Sequence, residues 1–206
     1  MQSDQIYFLI TCIAMVLFMT PGLAFFYGGL VRASSVVSMM MMSFGALGLV
    51  SILWIAYGYA MAFSGAGSAT YSGIDGVLGI DTSSLFLNQF LDERMSFDLV
   101  FAAFQGTFAV ITVALISGAI ADRARFGSWM VFAGIWATLV YFPIAGWVFN
   151  FTLDDSGAIV DGGWLVKDIG LLDFAGGTVV EVGSGAAALA VALVLGKRFG
   201  FRKGMY

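Results

Sequence analysis

The chain has 206 residues, 60% of them hydrophobic and 11% charged. A water-soluble domain of that length has no core able to hide so much apolar surface, so the composition predicts an all-α integral membrane protein. The net charge of −4 says little, because the charges are confined to loops. Histidine is absent, which removes Ser-His and Cys-His dyads, most metal sites and any simple histidine pH switch. The lone Cys12 allows no intrachain disulfide. No enzymatic activity, metal, cofactor or nucleic-acid partner is expected.

Five runs are long enough to cross about 30 Å of hydrocarbon at ~20 residues each: Ile6–Leu30, Val37–Phe63, Asp98–Ile120, Ser128–Phe149 and Phe174–Gly196. The first is interrupted at Pro21-Gly22, where the missing proline donor predicts a kink or an early end. It lacks a basic stretch before it and is too long for a signal-peptide core, so it reads as a retained helix. Met39–Met42 in the second run points around a helix and cannot converge on a metal; it reads as apolar filling. In the third run Phe104 and Phe108 are four apart, a spacing that stacks two rings on one helix face. They read either as packing or as an aromatic gate whose ring faces attract a small cation. The loops 64–97 and 150–172, rich in Gly, Ser and Asp, predict irregular structure, with a short surface helix over 86–96.

The fifth run opens on DFAGGTVVEVGSG, residues 173–185. Asp173 at its mouth reads as a helix cap, as a fixed charge that concentrates cations at a vestibule, or as both. Glu181 lies at membrane depth, where a charge is expensive and points to function. It is either a neutral acid bonded to a neighbouring helix or a proton relay lining a pore. The Gly183-Ser184-Gly185 turn reads as close helix packing.

Seven of the nine basic residues lie on one side of this arrangement. They are Arg32, Arg123, Arg125, Lys197, Arg198, Arg202 and Lys203. Only Arg94 and Lys167 lie on the other. The positive-inside rule then places the N-terminus outside and the C-terminus in the cytoplasm of a multi-pass cell-membrane protein.

Four segments together resemble the ammonium transporter (Amt/Mep/Rh) family: Thr20–Arg32 (TPGLAFFYGGLVR), Leu53–Tyr59 (LWIAYGY), Ala103–Phe108 (AFQGTF) and Asp173–Val180 (DFAGGTVV), followed by Gly196–Arg198 (GKR). They occur in family order and cover most of the chain. The resemblance implies a bundle of about eleven helices built from two five-helix inverted repeats and assembled as a trimer. This chain would supply the first five helices, residues 1–206, as one partial domain. It implies ammonium or ammonia as substrate, an outer gate at Phe104 and Phe108, and a recruitment site shaped by Asp173 and Phe108.

The sequence departs from the family in three ways. Glu181 stands where a pore histidine is usual, although fungal members also carry glutamate there. Phe149 stands at the outer-site tryptophan, with Trp147 two residues earlier, so a ring face is kept and an indole donor lost. The sixth helix and beyond are missing, so Glu181 demands a covering partner, a complementary second half, within a homotrimer of complete protomers in the lipid bilayer. The expected function is passage of ammonia through an aromatic-gated apolar pore after deprotonation at the gate, with Glu181 as relay. An ammonium-sensing domain coupled to a signalling module and an inactive truncated product stand beside it.

Overall fold

A computed structural model describes residues 2–63, 65, 70–74, 76–90 and 96–197. It contains five helical spans long and apolar enough to cross a membrane: Asp4–Gly29, Ala33–Ala62, Phe97–Ile120, Phe126–Phe149 and Gly177–Leu195. The chain is therefore a multi-pass membrane protein, and each span lies within a few residues of its predicted run.

Helix α1 (Gln2–Gly29) makes the first span. The expectation of an early end at Pro21-Gly22 is corrected, because Pro21 lies inside α1. Its missing N–H costs one bond of a ladder that α2 (Val36–Leu53) and α4 (Phe97–Ile116) support from the side. A π turn, Trp54–Gly58, then leads into α3 (Tyr59–Ala62) to complete the second span. The fourth span has the same build: α5 (Phe126–Trp136), a π turn at Ala137–Tyr141, then α6 (Phe142–Phe149). The fifth opens on a π turn, Gly177–Val182, and continues as α8 (Gly183–Leu195).

The third span is the most buried of the five. Ala102, Ala109, Val113, Ala114 and Ile116 on α4 are sealed from outside, and small side chains let neighbouring backbones come close. Trp54 is the main tie across the bundle. Its indole N–H donates to the Ala102 carbonyl at 3.0 Å. Its ring meets Phe142 edge-on at 5.6 Å, and Tyr59 and Phe63 at 6.0 and 6.2 Å. Two glycines make room for these rings: a Cβ on Gly106 would lie 2.8 Å from Trp54, and one on Gly58 2.7 Å from Phe142. The hydroxyls of Tyr57 and Thr138 share a hydrogen bond at 2.7 Å, so the π turns of the second and fourth spans meet.

The two long loops correct the expectation of irregular structure. The first holds an antiparallel hairpin, β1 (Tyr71–Ile74) with β2 (Leu78–Asp81), in the register Tyr71↔Asp81 to Ile74↔Leu78. The second holds β3 (Phe151–Leu153) with β4 (Ile159–Gly162), followed by α7 (Trp164–Lys167). Alternating side chains and turn residues give each hairpin its own ladder. The surface helix expected over 86–96 is also corrected. A 3₁₀ segment, Thr82–Phe90, breaks at Leu85, and Phe86 and Leu87 both take φ of 56°; residues 91–95 lie outside the described residues. Phe90 is buried, where it meets Tyr59 at 5.6 Å.

At the opposite end of the bundle, Arg32 Nε lies 3.6 Å from Asp122 Oδ2. Arg123 Nη1 donates to the carbonyl of Gly196 at 2.5 Å. This second contact puts a cation on the C-terminal end of α8, where the helix dipole favours one.

Candidate functional site

Phe104 and Phe108 share one face of α4. Their ring centroids are 5.0 Å apart with an interplanar angle of 86°, an edge-to-face pair. Both residues are half-buried. Their backbone is fixed from within the helix: Thr107 Oγ1 donates to the Phe104 carbonyl and Thr112 Oγ1 to the Phe108 carbonyl, each at 2.6 Å. The intervening Gln105 and Gly106 are buried, and Trp54 fills the space beside Gly106. The ring pair thus stands on a helix whose other side is immobilised. An apolar cleft of about 450 Å³ between α1, α2 and α4 is lined by Ile13, Leu17, Trp54, Ile55, Gly106 and Val110. Neither phenylalanine lines it, so the cleft and the ring pair occupy different faces of α4.

Asp173 caps the fifth span, from further out than a standard cap position. Its Oδ2 accepts the amide protons of Thr178 at 2.9 Å and Val179 at 3.2 Å. Gly176, with φ of 84°, makes the left-handed bend that brings the amides round. Asp173 Oδ1 is buried and has no hydrogen-bond partner among the described residues.

Glu181 sits inside the π turn. Its N–H donates to the Gly176 carbonyl, five residues back, at 3.3 Å. The side chain is exposed and curls towards Gly176, with Oε2 3.8 Å from where a Cβ would stand. π turns widen a helix by one residue and recur at functional positions. This one packs against both α4 and α6.

Trp147 and Phe149 end the fourth span on α6. The Trp147 indole N–H donates to the Val77 carbonyl in the first hairpin, and its ring meets Trp164 at 5.7 Å. Its donor is therefore spent on joining the two loops. Phe149, two residues on and so turned to another side of the helix, is half-buried and packs against the core. The structure thus pairs Phe104 with Phe108 and gives Asp173 its amides, while Trp147 is tied to the hairpins.

Two residues near the site carried no sequence signal, Tyr141, which is fully buried, and Thr112; Trp54, which fixes α4, lay in the family-like segment Leu53–Tyr59 with no role assigned to it. Outside the spans, hydrogen bonds hold two hairpin carboxylates below their ordinary value. Asp161 takes one from Lys167 Nζ at 2.8 Å. Asp154 takes one from the Ser156 hydroxyl at 2.6 Å and another from the Ala158 amide at 2.9 Å.

Five apolar spans enclosing a capped carboxylate and a ring pair define a membrane-embedded helical bundle. Residues 7–205 match the profile of the Ammonium Transporter Family, and the chain belongs to that family. It is 50% identical over 201 residues to an ammonium transporter of Mycobacterium tuberculosis, an alignment covering 91% of this chain and 41% of the relative. The crystal structure of Candida albicans Mep2 superposes with a TM-score of 0.72 at 36% identity, covering 94% of this chain and 39% of Mep2. A solved Sensor Amt Protein gives a TM-score of 0.78 at 25% identity, covering 96% of this chain and 46% of that one. The chain thus spans less than half the length of the relatives it matches.

Proposed function

We propose that this chain forms the first half of an ammonium-conducting pore. The observation that carries the reading is the edge-to-face pair of Phe104 and Phe108, held on an immobilised α4 in a member of the Ammonium Transporter Family. The hairpin side faces outward, following the distribution of Lys and Arg. Ammonium is drawn to an outer vestibule by the charge of Asp173 and the ring faces of Phe108, Phe149 and Trp147. Stripping water from the ion costs far more than stripping it from ammonia. Deprotonation at the ring pair therefore lets the neutral species enter the apolar lumen, and Glu181 takes up or relays the proton.

Glu181 is exposed at membrane depth. A carboxyl facing hydrocarbon is costly, so a second set of helices covers that face of the fifth span in the complete protomer, and complete protomers assemble as a trimer. Graft this chain in place of the matching region of the Mycobacterium tuberculosis transporter, and the Glu181→Gln form of that chimera is expected to change ammonium-evoked current or its pH dependence. Current and pH response identical to the parent chimera would reject the relay.

The likeness to the Sensor Amt Protein favours one second reading, a domain that binds ammonium and signals. It predicts ammonium binding without flux in the same chimera.

A further inference from the structure

The cleft between α1, α2 and α4 is no part of the proposed pore, yet it has a definite size, depth and chemistry. Its volume is about 450 Å³. Each helix lends it the half nearer the hairpins: residues 10–17 of the span Asp4–Gly29, 51–55 of Ala33–Ala62, and 99–110 of Phe97–Ile120. Leu87, in the loop segment before α4, stands at its mouth. At the other end of the bundle the Tyr27 hydroxyl donates to the Leu115 carbonyl at 2.9 Å and ties α1 to α4. From Leu99 to Val110 the wall is about 16 Å long at ~1.5 Å per residue, close to half of a ~30 Å hydrocarbon core. The cleft therefore runs from loop level to mid-bilayer, the depth of one leaflet. Its polar groups are spent within the protein. The Trp54 N–H is on the Ala102 carbonyl and the Thr107 hydroxyl on the Phe104 carbonyl; Ser51 is the remaining polar side chain of the wall. Ile10, Leu17 and Ile55 are exposed at the opening, whereas Trp54, Gly106 and Val110 are buried. An apolar void of this kind stays dry, and left empty its lining forfeits dispersion contacts.

We propose that this cleft is a lipid site, holding one acyl chain of a phospholipid from the leaflet on the hairpin side. Volume selects the occupant. An apolar cavity of about 150 Å³ takes one benzene, so one of about 450 Å³ takes roughly eighteen carbons, a single fatty chain. A helix of the second half, ~10 Å across, would need roughly 1,200 Å³ over the same length and does not fit. Depth agrees, because the cleft begins where a headgroup sits and ends where a chain ends. The chain lies on Ala103, Gly106 and Trp54, behind the face of α4 that carries Phe104 and Phe108, and replaces the packing that the cleft lacks. The inference holds whether the complete protein conducts ammonium or senses it.

The test uses the chimera described above, in vesicles of phosphatidylcholine and phosphatidylglycerol. A trace of phosphatidylcholine carries a photoreactive diazirine half-way along one chain. After irradiation, mass spectrometry of the digested protein locates the label. It is expected on the cleft side of α4, at Ala103, Thr107 and Val110, and on Ile13 and Leu17 of α1. The stretch 111–116 of the same helix, almost wholly buried, gives the background. Label at Ala103, Thr107 and Val110 no higher than that background would overturn the proposal and show that protein from the second half covers the cleft. Ala103 lines the cleft and is exposed in it, so the ring of Ala103→Phe occupies the space of the chain. That variant is expected to lower the label on Thr107 and Val110 about tenfold, the loss of ~1.4 kcal/mol of binding, with label elsewhere within about twofold of the parent. Undiminished label on those two residues would also overturn it. The parent measurement decides alone if Ala103→Phe does not fold.

Discussion

Gly106 lies between the two rings in sequence, yet its importance is on the opposite side of α4. An added methyl there would stand 2.8 Å from Trp54 Cδ1 and 2.9 Å from Trp54 Nε1. Relaxed carbon contacts lie at about 3.5–4.0 Å, so the indole would have to retreat by more than about half an ångström. Phe142 at 5.6 Å and Phe63 at 6.2 Å block its retreat on one side, so it can yield only into the apolar cleft that it lines. Overpacking of this kind costs about 1–3 kcal/mol. Displacing the indole also weakens its bond to Ala102, a further ~0.5–1.5 kcal/mol. Against this stands the higher helix propensity of alanine, about 1 kcal/mol. Gly106→Ala is therefore expected to destabilise the bundle by roughly 1–3 kcal/mol. Gly48→Ala supplies the control. It is the same chemical change in α2, and nothing stands within 4 Å of the new methyl. That variant should be neutral or more stable, by up to about 1 kcal/mol. Thermal unfolding in detergent micelles, followed by tryptophan fluorescence, reads both. A Gly106→Ala midpoint equal to or above that of Gly48→Ala would refute the packing argument.

Gly176→Ala forces alanine into φ of 84° and sets its Cβ 3.0 Å from Val180. The expected cost is about 1–2 kcal/mol, seen as faster hydrogen exchange at the Thr178 and Val179 amides that Asp173 now protects. Ser96→Ala removes the hydroxyl that accepts the Leu99 amide at 3.2 Å. The expected loss is about 0.5–2 kcal/mol, with the first turn of α4 fraying in the same exchange experiment. The second hairpin should also respond to acid. The hydrogen bond from Lys167 holds Asp161 below its ordinary 3.8, so the folded value lies under the unfolded one. Its contribution is complete above about pH 4 and lost as the pH falls through the folded value. Exchange protection of β3 and β4 should hold from neutral pH to about 5 and fall below about 4, and Asp161→Asn should shrink that step to the share that Asp154 contributes.

The membrane spans were legible because a bilayer demands long apolar runs, a coarse signal that survives kinks and small errors of boundary. Asp98–Ile120 became Phe97–Ile120, and Phe174–Gly196 became Gly177–Leu195. The pairing of Phe104 with Phe108 was legible too, since residues four apart share a helix face. The π turns were not. Each inserts a single residue into the helical period, and runs such as WIAYG and ATLVY carry no mark of it. The hairpins had local signals that composition alone passed over: Asp75-Gly76 between apolar residues, and Ser156-Gly157 after two aspartates, are turn dipeptides. The use made of Trp147 lay beyond any local signal, because its partner Val77 is 70 residues away in sequence.

Trp54 has a consequence for how the ring pair can open. Anchored to Ala102 and flanked by aromatic neighbours on the second and fourth spans, it ties α4 to both. A gate made of this ring pair, as proposed above, would change width mainly through the χ angles of its own two side chains. Rotamer hops of exposed side chains take picoseconds to nanoseconds, whereas concerted helix shifts take microseconds or longer. The proposed gate is in this sense a pair of swing doors on a fixed frame, able to flicker open for each passing molecule while the bundle around it stands still.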